Sequence, residues 1–261
     1  MTQTDRRIHL IKELLAEQPR YRGLAVPADP AEQKRLLRSL MNVRPPMPIG
    51  EEFLRVQDAY LSTERDITGV IDGNALPPLL SDERIILWQG DITTLKVDAI
   101  VNAANSGMRG CFRALHSCID NIIHSKSGIQ LRLYCDEMMN RQGYEEPAGQ
   151  AKITPAFNLP SRYILHTVGP IIEGRVTRHD RELLASCYRS CLGLAAEKNL
   201  ESVAFCCIST GVFHFPNQEA AEIAVKAVTD FLKTQSSIQK VIFNVFKDVD
   251  YKIYRDILTA N

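Results

Sequence analysis

Apolar residues fall at helical spacing through the first part of the chain. Ile8, Leu10, Ile11, Leu14 and Leu15 line one face of a 3.6-residue repeat, with Asp5 as the expected cap. A second helix is predicted over 30–41, carrying Leu36, Leu37 and Leu40. Pro45, Pro46, Pro48 and Gly50 break the chain, and a third helix is expected over 51–61. Pro77 and Pro78 mark a connection. Near residue 82 the texture changes. Short apolar runs of strand type at 84–88, 99–101, 151–154, 163–168, 202–208 and 240–246 alternate with helical segments near 119–140, 181–198, 218–233 and 249–259. The continuous apolarity of 202–208 predicts a strand buried on both faces. This alternation predicts a layered α/β domain over 82–261 with a mixed or mostly parallel sheet. Residues 1–81 are expected to form a helical N-terminal extension that packs on the domain and builds a lid.

Composition narrows the class. A chain of 261 residues suits one large domain, or an ordinary domain with an appendage. With 45% hydrophobic and 24% charged residues it can bury a sizeable core. The formal net charge is zero, so no global field recruits nucleic acid or an anionic membrane, and neither is an expected partner. The amphipathic N-terminal segment lacks the apolar stretch of a secretory signal, and no apolar run is long enough to span a bilayer. The expected location is a reducing cytoplasm. Seven cysteines, an odd number without a regular framework, then point to metal binding or reactivity before disulfides.

In open α/β sheets ligands bind beyond the carboxyl ends of the strands, so the loops there carry the candidate chemistry. Gly90-Asp91-Ile92 follows the first strand; Asp91 offers a carboxylate to an exocyclic amine, or simply caps the turn. Asn102 and Asn105 follow the second strand, separated by two alanines. They offer amide donors and acceptors with little bulk, or form a polar turn. Cys111, His116 and Cys118 place three soft or borderline donors within eight residues. That is the ligand count of a catalytic zinc with one open position, although clustering by chance in a cysteine-bearing chain gives the same pattern. Asp120 and His124, four residues apart, share a helix face, where the histidine either orients a ligand or sits satisfied in the core. Ser209-Thr210-Gly211-Val212-Phe213 links the buried strand to a helix. Free backbone N–H groups at a helix N-terminus attract phosphate, and Phe213 or Phe215 can stack on a sugar or base; otherwise the segment is a connecting loop with core aromatics.

Together, 89–93 (QGDIT), 98–105 (DAIVNAAN) and 209–211 (STG), in this order and at these distances, resemble the macrodomain family over residues 82–261. The resemblance implies a three-layer α/β/α sandwich with a mixed central sheet that binds ADP-ribose. It places Gly90, Asp91 and Ile92 at the adenine, with Asp91 meeting its amine. Ser209, Thr210, Gly211 and Val212 would cradle the diphosphate, Asn105 would face the distal ribose and Phe213 would line its pocket. Many hydrolytic macrodomains carry a glycine-rich stretch before a Val-Asp helix start. Here Gly110-Cys111-Phe112-Arg113-Ala114-Leu115-His116-Ser117-Cys118 precedes Ile119-Asp120. This resembles the zinc-dependent subclass of bacteria and fungi, which also carries a helical N-terminal extension. It implies Zn2+ held by Cys111, His116 and Cys118, with Asn105 and Asp120 as the catalytic pair. Asp120 would serve as base or as a partner of the metal ligands. The implied activity is removal of mono-ADP-ribose from modified proteins, through an activated water or a polarised ribose. The bacterial subclass is associated with sirtuin-type ADP-ribosyltransferases and with lipoyl-carrier proteins, which makes these the implied partners. The alternative is a reader module that binds ADP-ribose without chemistry; a further rival is a small-molecule ester hydrolase.

Overall fold

The computed structural model describes residues 1–21, 23–79 and 82–260. The boundary expected between 81 and 82 falls on Ser81, outside the described residues, as does Asn261. Three helices open the chain: α1 (Gln3–Ala16), α2 (Pro30–Val43) and α3 (Glu51–Thr68). The cap of α1 is Thr2, not Asp5. Thr2 accepts the Asp5 N–H while the Asp5 carboxylate accepts the Thr2 N–H at 2.9 Å, a reciprocal box in which the aspartate is the third helical residue. Helix α3 runs past the expected end at 61. Its last turns carry no apolar repeat, yet Glu64 is tied to Gln3 and Lys34, and the helix stops only at Gly69, whose φ is 94°. Leu10, Ile11, Leu14, Leu37, Leu40, Phe53, Val56 and Tyr60 bury one another, and Ile129 of the following domain completes this cluster. The extension is therefore built onto the domain through a shared core.

Then follow β1 (Ile71–Asp72), β2 (Ile85–Gln89), β3 (Leu95–Lys96), β4 (Ala99–Ala103), α4 (Ile119–Ser127), α5 (Ile129–Gln142), β5 (Ala151–Pro155), β6 (Tyr163–Thr167), α6 (Arg178–Glu197), β7 (Ser202–Phe205), α7 (Asn217–Leu232), β8 (Lys240–Val245) and α8 (Asp248–Thr259). Six strands form one sheet in the order β2-β8-β7-β4-β6-β5, parallel except for β5, which runs against β6. The sheet is mixed, as expected. Helices α6, α7 and α8 pack side by side, while α4 and α5 form a second helical layer that α2 touches through α4. The short β1–β3 pair has no apolar repeat to announce it and escapes sequence reading.

Two differences come from local geometry. The helical segment near 119–140 is two helices, divided at Gly128 with φ of 102°. A Cβ there would lie 2.7 Å from Gln57 Nε2, and Gln57 Oε1 accepts the Ile129 N–H at 2.9 Å. Close approach of α3 thus requires the glycine and breaks the helix. The strand expected over 202–208 ends at Phe205, because β8, its partner, pairs only as far as Phe205↔Phe243. Cys206, Ile208 and Phe215 stay buried and apolar beyond the last rung, which makes the run look longer in sequence. Phe215, 1% exposed, belongs to this core and cannot stack on a ligand.

Candidate active site

Because β2, β8, β7 and β4 run parallel, the loops after all four open at one edge of the sheet. The β2 loop is locked to β8 by the Gly90 N–H on the Val245 carbonyl at 3.0 Å and by Asn244 Nδ2 on the Gly90 carbonyl at 2.9 Å. Asp91 serves as cap and exposed acceptor at once. Its Oδ1 accepts from the Thr93 N–H at 3.0 Å and the Thr93 hydroxyl, and its Oδ2 from Lys126 Nζ at 2.7 Å, while the carboxylate stays 36% exposed. Burial raises the pKa of Asp91, but Lys126 and Thr93 more than offset that and hold it below its ordinary value. Ile92 is buried beneath it. Beside this loop stands Phe246, a residue that sequence reading assigned only to the end of a strand. It is 75% exposed immediately after β8, and its carbonyl accepts from Gln89 Nε2. The available signal was an aromatic one residue beyond an otherwise buried apolar run.

The β7 loop bends back sharply. Ser209 adopts φ of 64° and its carbonyl accepts the Phe215 N–H at 3.0 Å, which throws Thr210–Phe213 outward. Among the described residues, no protein acceptor takes the N–H groups of Thr210, Gly211, Val212 or Phe213. Four amides in succession just before α7 form a cradle suited to phosphate oxygens. Gly211 and Val212 are exposed and Thr210 is half-buried. Ser209 is buried, its hydroxyl unpartnered against Gly169. The half-buried Phe213 packs with Ala104, Met108, Met139 and Val168, so it joins this loop to the β4 loop.

The β4 loop carries the densest chemistry. Asn105 Nδ2 donates to the Gly110 carbonyl and to Asp120 Oδ2, both at 3.2 Å, and its Oδ1 accepts the Gly107 N–H. Gly110, at φ of 83°, lies so close to the His124 ring that a Cβ would sit 2.8 Å away. From there the chain enters the loop that carries Cys111 and His116 and ends on Cys118, the N-cap of α4. The donor atoms of Cys111, His116 and Cys118 all lie within 4.8 Å of one another, and Cys111 Sγ stands 3.7 Å from His116 Nδ1. Tetrahedral zinc with ordinary Zn–S and Zn–N bonds sets its sulfur and nitrogen ligands roughly 3.6 Å apart, so the Cys111–His116 pair and the three-donor set suit that ion. All three residues are half-buried, and the Asn121 backbone N–H, in the first turn of α4, faces the Cys118 sulfur. Burial, with the neighbouring Cys111 adding to it, pushes the Cys118 thiol up to about 12. A divalent cation and the helix N-terminus both favour the thiolate instead.

Behind the loop lies a buried polar chain. Thr154 Oγ1 meets His166 Nε2 at 2.9 Å, His166 Nδ1 accepts from Asn102 Nδ2 at 3.1 Å, and the same amide donates to Asp120 Oδ1 at 2.8 Å. Asp120 hands the chain on to Asn105. Burial raises the Asp120 pKa to about 6, against the bonds from Asn102 and Asn105 and the charge of Arg132. Burial also drives His124 well below its ordinary value and His166 to about 3, so both are neutral. His124 Nε2 therefore lies 3.5 Å from Asp120 without forming an ion pair. A second donor cluster, His124, Cys135 and His166, is wholly buried. Both His166 nitrogens are already engaged by Asn102 and Thr154, so this cluster reads as part of the polar core.

Fold and loops define an α/β/α domain whose sheet edge carries an amide cradle, a carboxylate and a soft-donor triad on neighbouring loops. The sequence profile of the Macro domain matches residues 101–224. A protein-ADP-ribose hydrolase of Treponema medium is 56% identical over 264 residues, covering 99% of this chain and all of that protein. A mutant of the Oceanobacillus iheyensis macrodomain, solved with ADPR, is 40% identical and superposes with a TM-score of 0.63 over 69% of this chain and 94% of that one. The Trypanosoma brucei macrodomain in complex with ADP-ribose is 28% identical, with a TM-score of 0.64 over 84% and 94%. This chain belongs to the macrodomain family.

Proposed function

We propose that this protein removes mono-ADP-ribose from modified proteins, releasing ADP-ribose, with a zinc ion held by Cys111, His116 and Cys118. The observation that carries the reading is the convergence of three soft donors beside Asn105, at the same sheet edge as the amide cradle. The name of the Treponema medium relative supports the activity, and the solved neighbours bound to ADPR and ADP-ribose support the ligand. Asp91 accepts the adenine amine, the N–H groups of Thr210–Phe213 hold the diphosphate, and Asn105 orients the distal ribose. A zinc ion held by the triad would supply Lewis-acid polarisation to the reaction. A reader module has no use for a metal site with an open position, which disfavours that alternative. The modified protein we would test first is a lipoyl-carrier protein, with a sirtuin-type ADP-ribosyltransferase as the enzyme that modifies it. Among the described residues no helix is long and apolar enough to cross a membrane, which is compatible with the proposed cytoplasmic site of action.

The reading is tested by following release of free ADP-ribose from a mono-ADP-ribosylated protein. Release is expected to stop on treatment with a zinc chelator and to return with added zinc. Release that persists in protein shown by metal analysis to be zinc-free would remove the metal from the reaction; no release at all would leave a reader.

Phe246 gives a separate prediction. An exposed aromatic beside Asp91 and Gly90 is placed to stack on the adenine, and such stacking contributes about 1–3 kcal/mol. Phe246→Ala is expected to weaken ADP-ribose binding by about tenfold in calorimetry. Unchanged affinity would assign the adenine another platform.

A further inference from the structure

We infer that the N-terminal extension is a clamp on the metal loop, and that Arg38 and Asn42 of α2 are positioning residues for the triad. The inference rests on the zinc reading above, and goes beyond it by giving the extension a part in the site. Arg38 Nη2 donates to the main-chain carbonyl of His116 at 2.7 Å and to Asn121 Oδ1 at 2.8 Å. Asn121 in turn donates to the carbonyls of Cys111 and Arg113, so one guanidinium braces the backbone of two of the three ligands. One turn further along the same helix, Asn42 Oδ1 accepts the N–H of Leu115 at 3.0 Å, and its Nδ2 donates to Ser125 Oγ of α4 at 2.8 Å. Leu115 adopts φ of 56°, a left-handed conformation that an L-residue with a branched side chain adopts only when its surroundings impose it. That strained residue directly precedes His116. Asn42 is 1% exposed, so its amide has no competing water.

The end of α2 is itself pinned. Arg132 of α5 donates to the carbonyls of Met41, Asn42 and Arg44 and, on the other side, to the carbonyl of Arg109, two residues before Cys111. It also lies under the ring of Phe112, within the loop, at 4.2 Å. Helix α2, α5 and the loop therefore share one hydrogen-bond frame, with the extension supplying the contacts to His116 and Leu115. Without them the loop keeps the bonds from Asn121 and Arg132 and its own turn, from the His116 N–H to the Arg113 carbonyl, but among the described residues no other hydrogen bond takes the Leu115 N–H or the His116 carbonyl. Partners that orient metal ligands commonly change affinity by about 10–100-fold when removed.

The test uses the full-length protein and reads metal affinity, not turnover. Cobalt(II) is titrated into chelator-stripped wild type, Arg38→Ala, Asn42→Ala and Lys34→Ala, and the thiolate charge-transfer and d–d bands are followed; zinc competition then gives its affinity. Arg38→Ala and Asn42→Ala are expected to bind zinc about 10–100-fold more weakly and to show an altered d–d spectrum. Lys34→Ala, on the same helix but paired with Glu64, is expected to match wild type. Arg38→Lys, which keeps the charge but not the fork, serves if the alanine variant does not fold, and should fall between the two. Wild-type affinity and spectrum in folded Arg38 and Asn42 variants would overturn the clamp alone. Absence of cobalt binding by wild type would instead overturn the zinc reading beneath it.

Discussion

Cys118→Ala is expected to lower turnover by at least about 10³-fold while leaving affinity for free ADP-ribose within about threefold. The separation follows from where the two tasks lie. In the proposed binding mode the diphosphate cradle is main chain from the β7 loop, and the adenine contacts come from the loops after β2 and β8. Neither uses a side chain of 111–118. Cys118 stands at the first turn of α4, where its sulfur meets the donor atoms of Cys111 and His116. Removing one thiolate from a three-ligand site leaves two donors, too few to hold a catalytic zinc firmly, and the loss of several kcal/mol of charge stabilisation appears in kcat. Cys111→Ala should behave alike. His116→Ala should too, although there the loop keeps both sulfurs and weak residual metal binding is expected. The check is paired: single-turnover release of ADP-ribose from a modified protein, and calorimetric binding of the free ligand. A folded Cys118→Ala protein with wild-type turnover would sink the metal-dependent reaction. Loss of ligand binding in step with turnover would show instead that the triad shapes the whole crevice.

How far the sequence alone reaches varies with the length of chain over which a signal is spread. The strand and helix alternation after residue 82 was legible because each element carries its own apolar period, and the mixed sheet with its helical layers follows from it. The triad was legible because its members lie within eight residues, so a loop of almost any shape brings them near one another. What stayed hidden depends on distant pairs. Nothing in the local sequence links Arg38 to His116, 78 positions away, or Thr154 to His166 and onward to Asn102. Gly128 reads as one glycine in a helical stretch until Gln57 is seen beside it. Phe215 and Phe213 look equivalent two positions apart, yet the bend at Ser209 sends one into the core and the other towards the β4 loop. The extension could be expected to pack, but its hold on the loop of Cys111 and His116 lives in tertiary contacts of single side chains.

Asp120→Ala is expected to lower kcat by about 10²-fold or more, whereas Asp120→Asn should keep kcat within about tenfold of wild type. The contrast separates two roles. Asp120 is 4% exposed and both its oxygens are taken, Oδ1 by Asn102 and Oδ2 by Asn105. A general base must reach the proton it abstracts, and this carboxylate faces Asn105 instead. Its task is then to anchor the Asn105 amide, a positioning role that an acceptor of the same shape can fill. The asparagine variant keeps both contacts at 120. A flip of the Asn102 amide lets its Oδ1 accept from Asn at 120, at the cost of moving the Asn102 NH2 to the buried position where Oδ1 now has no partner. His166 then donates from Nδ1 and accepts from the Thr154 hydroxyl, the other tautomer of the same contacts. Alanine at 120 leaves the Asn102 and Asn105 donors unpaired, at about 1–3 kcal/mol each. Equal loss in both variants would restore the base.

A stability measurement checks the same residue independently. Burial raises its pKa from 3.8 to about 6, so the folded protein prefers the neutral acid. The stability this lends is complete below about pH 4 and is lost as pH rises through about 6, on the order of 3 kcal/mol in metal-stripped protein. Asp120→Asn, with nothing to ionise, should lack that slope in urea unfolding between pH 4 and 7. Its persistence in the variant would assign the slope to another group. With zinc bound, the cation favours the carboxylate and the slope should flatten in wild type as well. An ionised, buried Asp120 at neutral pH is thus a destabilising feature that the bonds from Asn102 and Asn105 and the charge of Arg132 make tolerable.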